Sequence, residues 1–139
     1  MIVLDTNVVS ELTKPTPDPA VLSWLDAQWA DPLATTSMTA AELLFGVKRL
    51  PDGRRKHRLA QVLDVWLNDD LQGRVIPFDL AAAAEYAVLV ADREPAGRPM
   101  DISDAQIAAI CRSSNARLAT RNTADCDGTG VELINPWRT

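Results

Sequence analysis

MIVLDTN, residues 1–7, runs three aliphatic side chains straight into a carboxylate, a hydroxyl and an amide. Ile2, Val3 and Leu4 read as a short strand that is buried from its first residue, because an unbroken apolar run suits a strand covered on both faces. Such a strand belongs inside a parallel sheet, and it ends on Asp5. A bare carboxylate is costly to desolvate, so its charge must meet a partner. The identity of that partner decides the function.

Outward from this stretch, strands and helical segments alternate along the chain. TKPTPDP, residues 13–19, is a loop, and Asp18-Pro19 is an N-cap with Pro at the first position of a helix expected to run to about Trp29. Residues 34–36 form a second short strand. Thr39 and Glu42 have capping-box spacing at the start of a helix carrying Ala40, Leu43, Leu44 and Val47. After the turn Pro51-Asp52-Gly53, an amphipathic helix is expected from about Arg55 to Asn68, with Leu59, Val62, Leu63 and Trp66 on one face. Residues 74–77 give a third strand, and Asp79 caps an alanine-rich helix to about Asp92. A loop, PAGRPMD, leads to a helix that starts at Asp101 or Ser103 and ends near Ser113. Strands follow at 117–119 and near 131–134. This alternation implies an α/β class protein with a central, mostly parallel sheet covered on both faces. At 139 residues, with no repeat and no long linker, one domain over 1–139 is expected.

Composition narrows the function classes. Hydrophobic content of 47% beside 24% charged residues suits a soluble globular chain rather than a disordered one. The apolar stretch 80–90 is broken by Glu85 and too short to span a bilayer, and no signal peptide is evident, so a cytoplasmic location without membrane contact is expected. Cys111 and Cys126 have neither metal-ligand nor CxxC spacing and read as reduced thiols. The net charge of −5 argues against non-specific nucleic-acid binding. Yet Lys48, Arg49, Arg54, Arg55, Lys56, His57 and Arg58 crowd together. They form either a solvated helix face or a local phosphate-contacting patch.

Acids concentrate where such a sheet binds ligands, outside the carboxyl ends of its strands. Asp5 ends the first strand. RLAT, residues 117–120, delivers RNTADCD, with Asp125 and Asp127 at the same rim. Asp104 lies in the first turn of SDAQIAAI, and Glu42 in the first turn of TAAELLFG. Singly, three of them have a structural explanation: Asp104 favours a helix N-terminus, Glu42 completes a capping box, and Asp125 suits a turn; Asp5 is harder to dismiss, because no helix clearly starts there until Val8. Jointly, they would repel one another unless a cation intervened. Oxygen-only ligands suit Mg²⁺ or Mn²⁺, one or two ions, whereas Zn²⁺ is disfavoured because His57 is the lone histidine. A hydrated divalent ion among acids points to phosphoryl chemistry, in which the metal activates water and stabilises charge on the phosphate.

In order and spacing, LDTN at 4–7, TAAEL at 39–43, DAQIAA at 104–109 and LATRNTAD at 118–125 resemble the PIN-domain ribonucleases. The resemblance is strongest to VapC-type toxins of type II toxin–antitoxin pairs, in the FitB-like branch, and it covers essentially the whole chain. It implies a PIN-like three-layer α/β/α sandwich and Mg²⁺-dependent hydrolysis of RNA, with tRNA or rRNA as usual targets. Asp5, Glu42, Asp104 and Asp125 match the family's acidic quartet. Asp5 and Asp104 would be the principal metal ligands, and Glu42 and Asp125 would bind metal directly or through water. Thr6, Asn7 and Asn122 would support the site. The resemblance also implies a VapB-type antitoxin, a homodimer, and promoter DNA bound only indirectly through the antitoxin complex.

Cys126 departs from the family's usual aromatic residue after the fourth acid, which makes Asp127 a rival to Asp125. Asp101 rivals Asp104, but the spacing to IAA favours Asp104 and leaves Asp101 as an N-cap. Lys48, Arg49, Arg54, Arg55 and Arg121 are candidate RNA contacts. Leu12, Trp24, Trp29, Leu43, Leu44, Phe45 and Trp66 belong either to the core or to an interface, which the sequence does not divide, and the core is the better assignment for each. Two other readings compete. An aspartyl phosphatase wants a second acid two residues after the first, where this chain has Asn7. A catalytically inactive RNA- or protein-binding module would keep the fold without needing all four acids.

Overall fold

The computed structural model describes residues 1–138. Its centre is strand β1 (Ile2–Leu4), which is fully buried. Parallel partners lie on both sides, β2 (Leu33–Thr36) and β4 (Arg117–Ala119), with Ile2 in register with Leu33 and with Arg117. β3 (Val75–Ile76) and β5 (Leu133–Ile134) complete an all-parallel sheet in the order β3-β2-β1-β4-β5. The period of two along a strand divides β1 between two cores. Ile2 and Leu4 pack with Val8, Val9, Val21 and Leu63 on one face, and Val3 packs with Ile107, Cys111 and Leu118 on the other. Each such side chain gains about 1.5–3 kcal/mol on burial, which explains an unbroken apolar run where a half-exposed strand would alternate.

Helices supply both covers. Helix α1 (Thr6–Leu12), helix α2 (Pro19–Asp26), helix α3 (Ser37–Lys48) and helix α4 (Arg54–Val65) all send side chains into the first core. Helix α5 (Leu80–Arg93) packs along helix α6 (Ile102–Ser113), which covers the second core, and a single turn, α7 (Thr123–Cys126), follows β4. Asp18, Asp79 and Asp101 are the side-chain N-caps of α2, α5 and α6, as their sequence positions imply. The fold is therefore the expected α/β/α sandwich.

Several boundaries differ from expectation. α2 stops at Asp26, which leaves Trp29 89% exposed rather than in the core. Leu44 and Phe45 are likewise exposed, because α3 turns that face outward; Leu12 and Trp24 are buried, and Leu43 and Trp66 pack against the core. α4 ends at Val65 and widens into a π-helical turn, Trp66–Asp70, closed by Leu71 N–H on the Trp66 carbonyl at 3.0 Å. That extra residue buries Leu71.

Candidate active site at the carboxyl rim of the sheet

From β1 the chain passes through β2 to β3 on one side, then crosses back to build β4 and β5 on the other. The reversal lies between β1 and β4, where open α/β sheets form their ligand crevice. Asp5 and Thr120 follow these two strands directly, and the Thr120 hydroxyl donates to Asp5 Oδ2 at 2.7 Å. Thr120 Oγ1 also accepts from Asn7 Nδ2 (3.3 Å) and from Asn122 N–H (3.1 Å). A threonine hydroxyl offers one donor and two acceptor positions, so all of its capacity is used in fixing the rim. Asn7 Oδ1 takes Arg121 N–H at 3.1 Å, joining the first turn of α1 to the loop after β4.

Asp5 is 6% exposed and is itself the N-cap of α1: Oδ1 accepts Thr6 N–H at 2.8 Å. The helix thus starts at Thr6, whereas the sequence suggested no helix before Val8. Burial pushes the Asp5 carboxyl above its ordinary range. The Thr120 and Thr6 hydrogen bonds pull it back, and Glu42 adds repulsion. The Thr6 hydroxyl pairs with that of Thr39 at 3.0 Å, tying α1 to α3.

The Thr39–Glu42 capping box is absent. Thr36 is the N-cap of α3, its hydroxyl accepting Thr39 N–H at 3.2 Å, so Thr39 lies inside the helix. Glu42, freed from capping, accepts from Ser103 Oγ at 2.5 Å and links α3 to the start of α6. Asp101 caps that start through Ser103 N–H, which places Asp104 in the first helical turn. A carboxylate there gains from the helix dipole. Even so, the Asp104 carboxyl is pushed up to about 6, first by burial, then by Asp5, Asp101, Asp125 and Glu42 in that order. Asp5, Glu42 and Asp125, from three other segments of the chain, therefore lie within electrostatic reach of Asp104.

Asp125 lies on α7, a turn too short to show periodicity, and shares a cavity of about 470 Å³ with Asp101 and Asp104. Asp127 does not line that cavity, and its Oδ2 lies 3.8 Å from Arg98 Nη2. Asn122 makes no side-chain cap for α7 and acts through its backbone, its carbonyl accepting Asp125 N–H at 3.1 Å.

The basic run divides. Arg49 and Arg55 line a groove of about 450 Å³ with Thr6 and Glu42, whereas Lys48, Lys56 and His57 line a separate groove of about 780 Å³. Arg54 is exposed, and Arg121 stacks on Trp137 with its guanidinium 4.9 Å from the ring centre. Arg49 stacks on Phe45 at 5.7 Å. Thr120, Ser103, and Arg93 and Arg98, which line the cavity of Asp104 and Asp125, were not foreseen. Of these only Thr120 had a signal, as the residue that follows β4 where Asp5 follows β1.

The PIN domain family profile matches residues 2–125. The chain belongs to the PIN-domain family. It is 43% identical to VapC ribonuclease Y4jK of Sinorhizobium fredii over 137 residues, 99% of this chain and 98% of that one. It is 35% identical to Toxin FitB of Neisseria gonorrhoeae over 99% of both chains. A solved structure of FitAB bound to an IR36 DNA fragment superposes with a TM-score of 0.91 at 33% identity, covering 100% of this chain and 97% of that one. The PIN-domain resemblance read from the four acidic motifs is thus borne out.

The donor set at the rim of this PIN domain is carboxylate oxygen, which suits a hard divalent ion such as Mg²⁺ or Mn²⁺. As the side chains stand, no three His, Cys, Asp or Glu residues among the described ones are grouped closely enough to hold one ion together. What fits is a hydrated ion taken directly by one or two carboxylates and reached by the others through water. No described helix is long and apolar enough to cross a membrane.

Proposed function

We propose that this chain, as one PIN domain over its whole length, is the toxin of a VapBC-type pair and a Mg²⁺-dependent endoribonuclease. The observation that carries this reading is the convergence of Asp5, Glu42, Asp104 and Asp125 from four segments on one rim, where burial first and then the neighbouring acids push Asp104 up to about 6. Such mutual repulsion serves no folding purpose and favours a cation. Asp5 and Asp104 would hold the ion, and Glu42 and Asp125 would bind it directly or through water and position the nucleophilic water. Mn²⁺ substitutes for Mg²⁺, with one or two ions per site. Once bound, the ion supplies Lewis acidity to the scissile phosphate and acidifies water. Thr6 and Asn7 hold α1 in register with α3 and β4, and Asn122 sets α7.

RNA phosphates lie along the groove of Arg49 and Arg55, which also contains Glu42, with Lys48, Arg54 and Arg121 as outlying contacts. Water attacks in line and leaves a 5′-phosphate and a 3′-hydroxyl on a tRNA or rRNA target. A cognate VapB-type antitoxin covers the acidic groove and inserts a basic side chain among the carboxylates. The toxin is a cytoplasmic homodimer and meets promoter DNA only through the antitoxin. The neighbouring FitAB–DNA complex supports that arrangement.

The test is cleavage of total RNA by purified, antitoxin-free protein in Mg²⁺ or in EDTA, beside D5N. Discrete 5′-phosphorylated fragments that need both the ion and Asp5 are expected. Folded protein that cuts nothing in Mg²⁺ would leave the inactive binding module as the better reading.

A further inference from the structure

Arg93 closes α5 and is 8% exposed, yet it makes no ion pair with a carboxylate among the described residues. Its guanidinium is spent on two carbonyls. Nε donates to the Arg98 carbonyl at 3.0 Å and Nη1 to the Asp127 carbonyl at 2.8 Å. The Arg93 carbonyl in turn accepts Arg98 N–H at 3.0 Å. A basic residue at a helix C-terminus ordinarily lies on the surface beside the last carbonyls; this one is turned inward.

The two carbonyls belong to the two backbone segments that flank the acids. Arg98 opens the stretch that leads through Asp101, the N-cap, to Asp104. Asp127 is the first residue after α7, which carries Asp125. One planar fork therefore ties the approach to Asp104 to the exit from Asp125. Arg93, Arg98, Asp101, Asp104 and Asp125 line one cavity. The neighbouring residues fit this geometry. Arg98 Nη2 also reaches the Asp127 carbonyl at 3.2 Å, and Gly128 has φ +76° with a Cβ position only 2.8 Å from Arg98 Nη1. A side chain at 128 would be strained and would push Arg98 away.

The charge is placed with the same economy. A guanidinium paired with Asp104 or Asp125 would compete with a cation for their oxygens. Bonded to carbonyls instead, Arg93 lines the acids' cavity without taking their oxygens.

We infer that Arg93 is a positioning residue that sets the spacing of Asp104 and Asp125 for a divalent ion through the carbonyls of Arg98 and Asp127. The inference rests on the metal-dependent reading above. The test measures Mn²⁺ affinity by the free-ion EPR signal, together with kcat and KM for RNA cleavage, for the full chain, R93M and R93K. R112M is the control. Arg112 makes a similar set of bonds away from the site, to Glu85 Oε2 at 2.8 Å and to the Thr129 carbonyl at 3.2 Å.

R93M is expected to bind Mn²⁺ about 10–100-fold more weakly, the range for loss of a group that orients metal ligands, with kcat reduced and KM little changed. R93K keeps the charge but not the planar fork, and is expected to show a substantial part of the same loss. R112M is expected to lose stability and keep wild-type affinity. Should R93M fail to fold, R93K carries the test. Wild-type affinity in R93K, or an equal loss in R112M, would overturn the inference while leaving the metal site in place. A wild-type protein that binds no Mn²⁺ would overturn both readings.

Discussion

Asp104→Asn in the metal-free protein should stabilise the fold at neutral pH, although it removes a first-turn acid. The Asp104 carboxyl is pushed up to about 6 in the folded chain, against an unfolded value near 3.9. Between those two values the folded state binds the extra proton, so this residue's contribution is fully present below about pH 4 and is lost as pH rises through about 6. At 1.36 kcal/mol per unit the ceiling is about 3 kcal/mol, and solvent screening of this partly exposed group reduces it to about 1 kcal/mol. Loss of the favourable helix-dipole term takes back a few tenths, which leaves the sign unchanged. D104N in EDTA should therefore melt a few degrees above wild type at pH 7 and match it near pH 4. Excess Mg²⁺ should reverse the order: at one hundred times Kd it adds about 2.7 kcal/mol to the protein that binds it. Thermal melts of both proteins from pH 4 to 7.5, with EDTA or Mg²⁺, measure all of this. A pH-independent difference in EDTA, or a wild type that is the more stable at pH 7 without metal, would refute the electrostatic reasoning.

Three further outcomes follow from the same geometry. T120V removes the donor to Asp5 and both acceptor contacts, so urea denaturation should show a loss of about 1–3 kcal/mol; the Asp5 carboxyl should rise further, moving the acid limb of the cleavage profile to higher pH. The thiols of Cys111 and Cys126 are pushed up to about 12, chiefly by burial and then by nearby acids including Asp5, so neither should react with a disulfide reagent at pH 8 until denaturant is added. Glu11 is buried and holds Lys14 Nζ at 2.9 Å and Asp18 N–H at 3.1 Å; E11A should cost about 1–2 kcal/mol in a urea titration while Mn²⁺ affinity stays at the wild-type level.

What could be read in the sequence was whatever has a single local cause. β1 was legible because burial on both faces demands an unbroken apolar run, and Asp18, Asp79 and Asp101 because capping is the one thing a carboxylate does at those positions. Asp5 concealed the start of α1 because its carboxylate does two things at once, capping a helix and facing the other acids. The start of α3 was misplaced for a related reason. TTSMT offers hydroxyls at 35, 36, 37 and 39, and only the folded geometry, with the Thr36 hydroxyl accepting Thr39 N–H and Thr39 reaching Thr6, shows that the last of them is inside the helix. Trp29, Leu44 and Phe45 were misassigned because hydrophobicity alone does not tell a core face from an exposed one.

The four acids announce themselves by residue type, but the groups that aim them do not. Thr120 matters to Asp5 only once β4 pairs with β1, a contact across most of the chain. Arg93 binds the segments next to Asp104 and Asp125 through the carbonyl oxygens of Arg98 and Asp127, which every residue possesses and no sequence pattern marks. The repulsion that the rim stores has to be held by something other than the acids themselves. In this chain the hydroxyls of Thr120 and Ser103 and the amide of Thr6 bond the acids directly, while the buried Arg93 guanidinium is spent on carbonyls and takes no carboxylate oxygen.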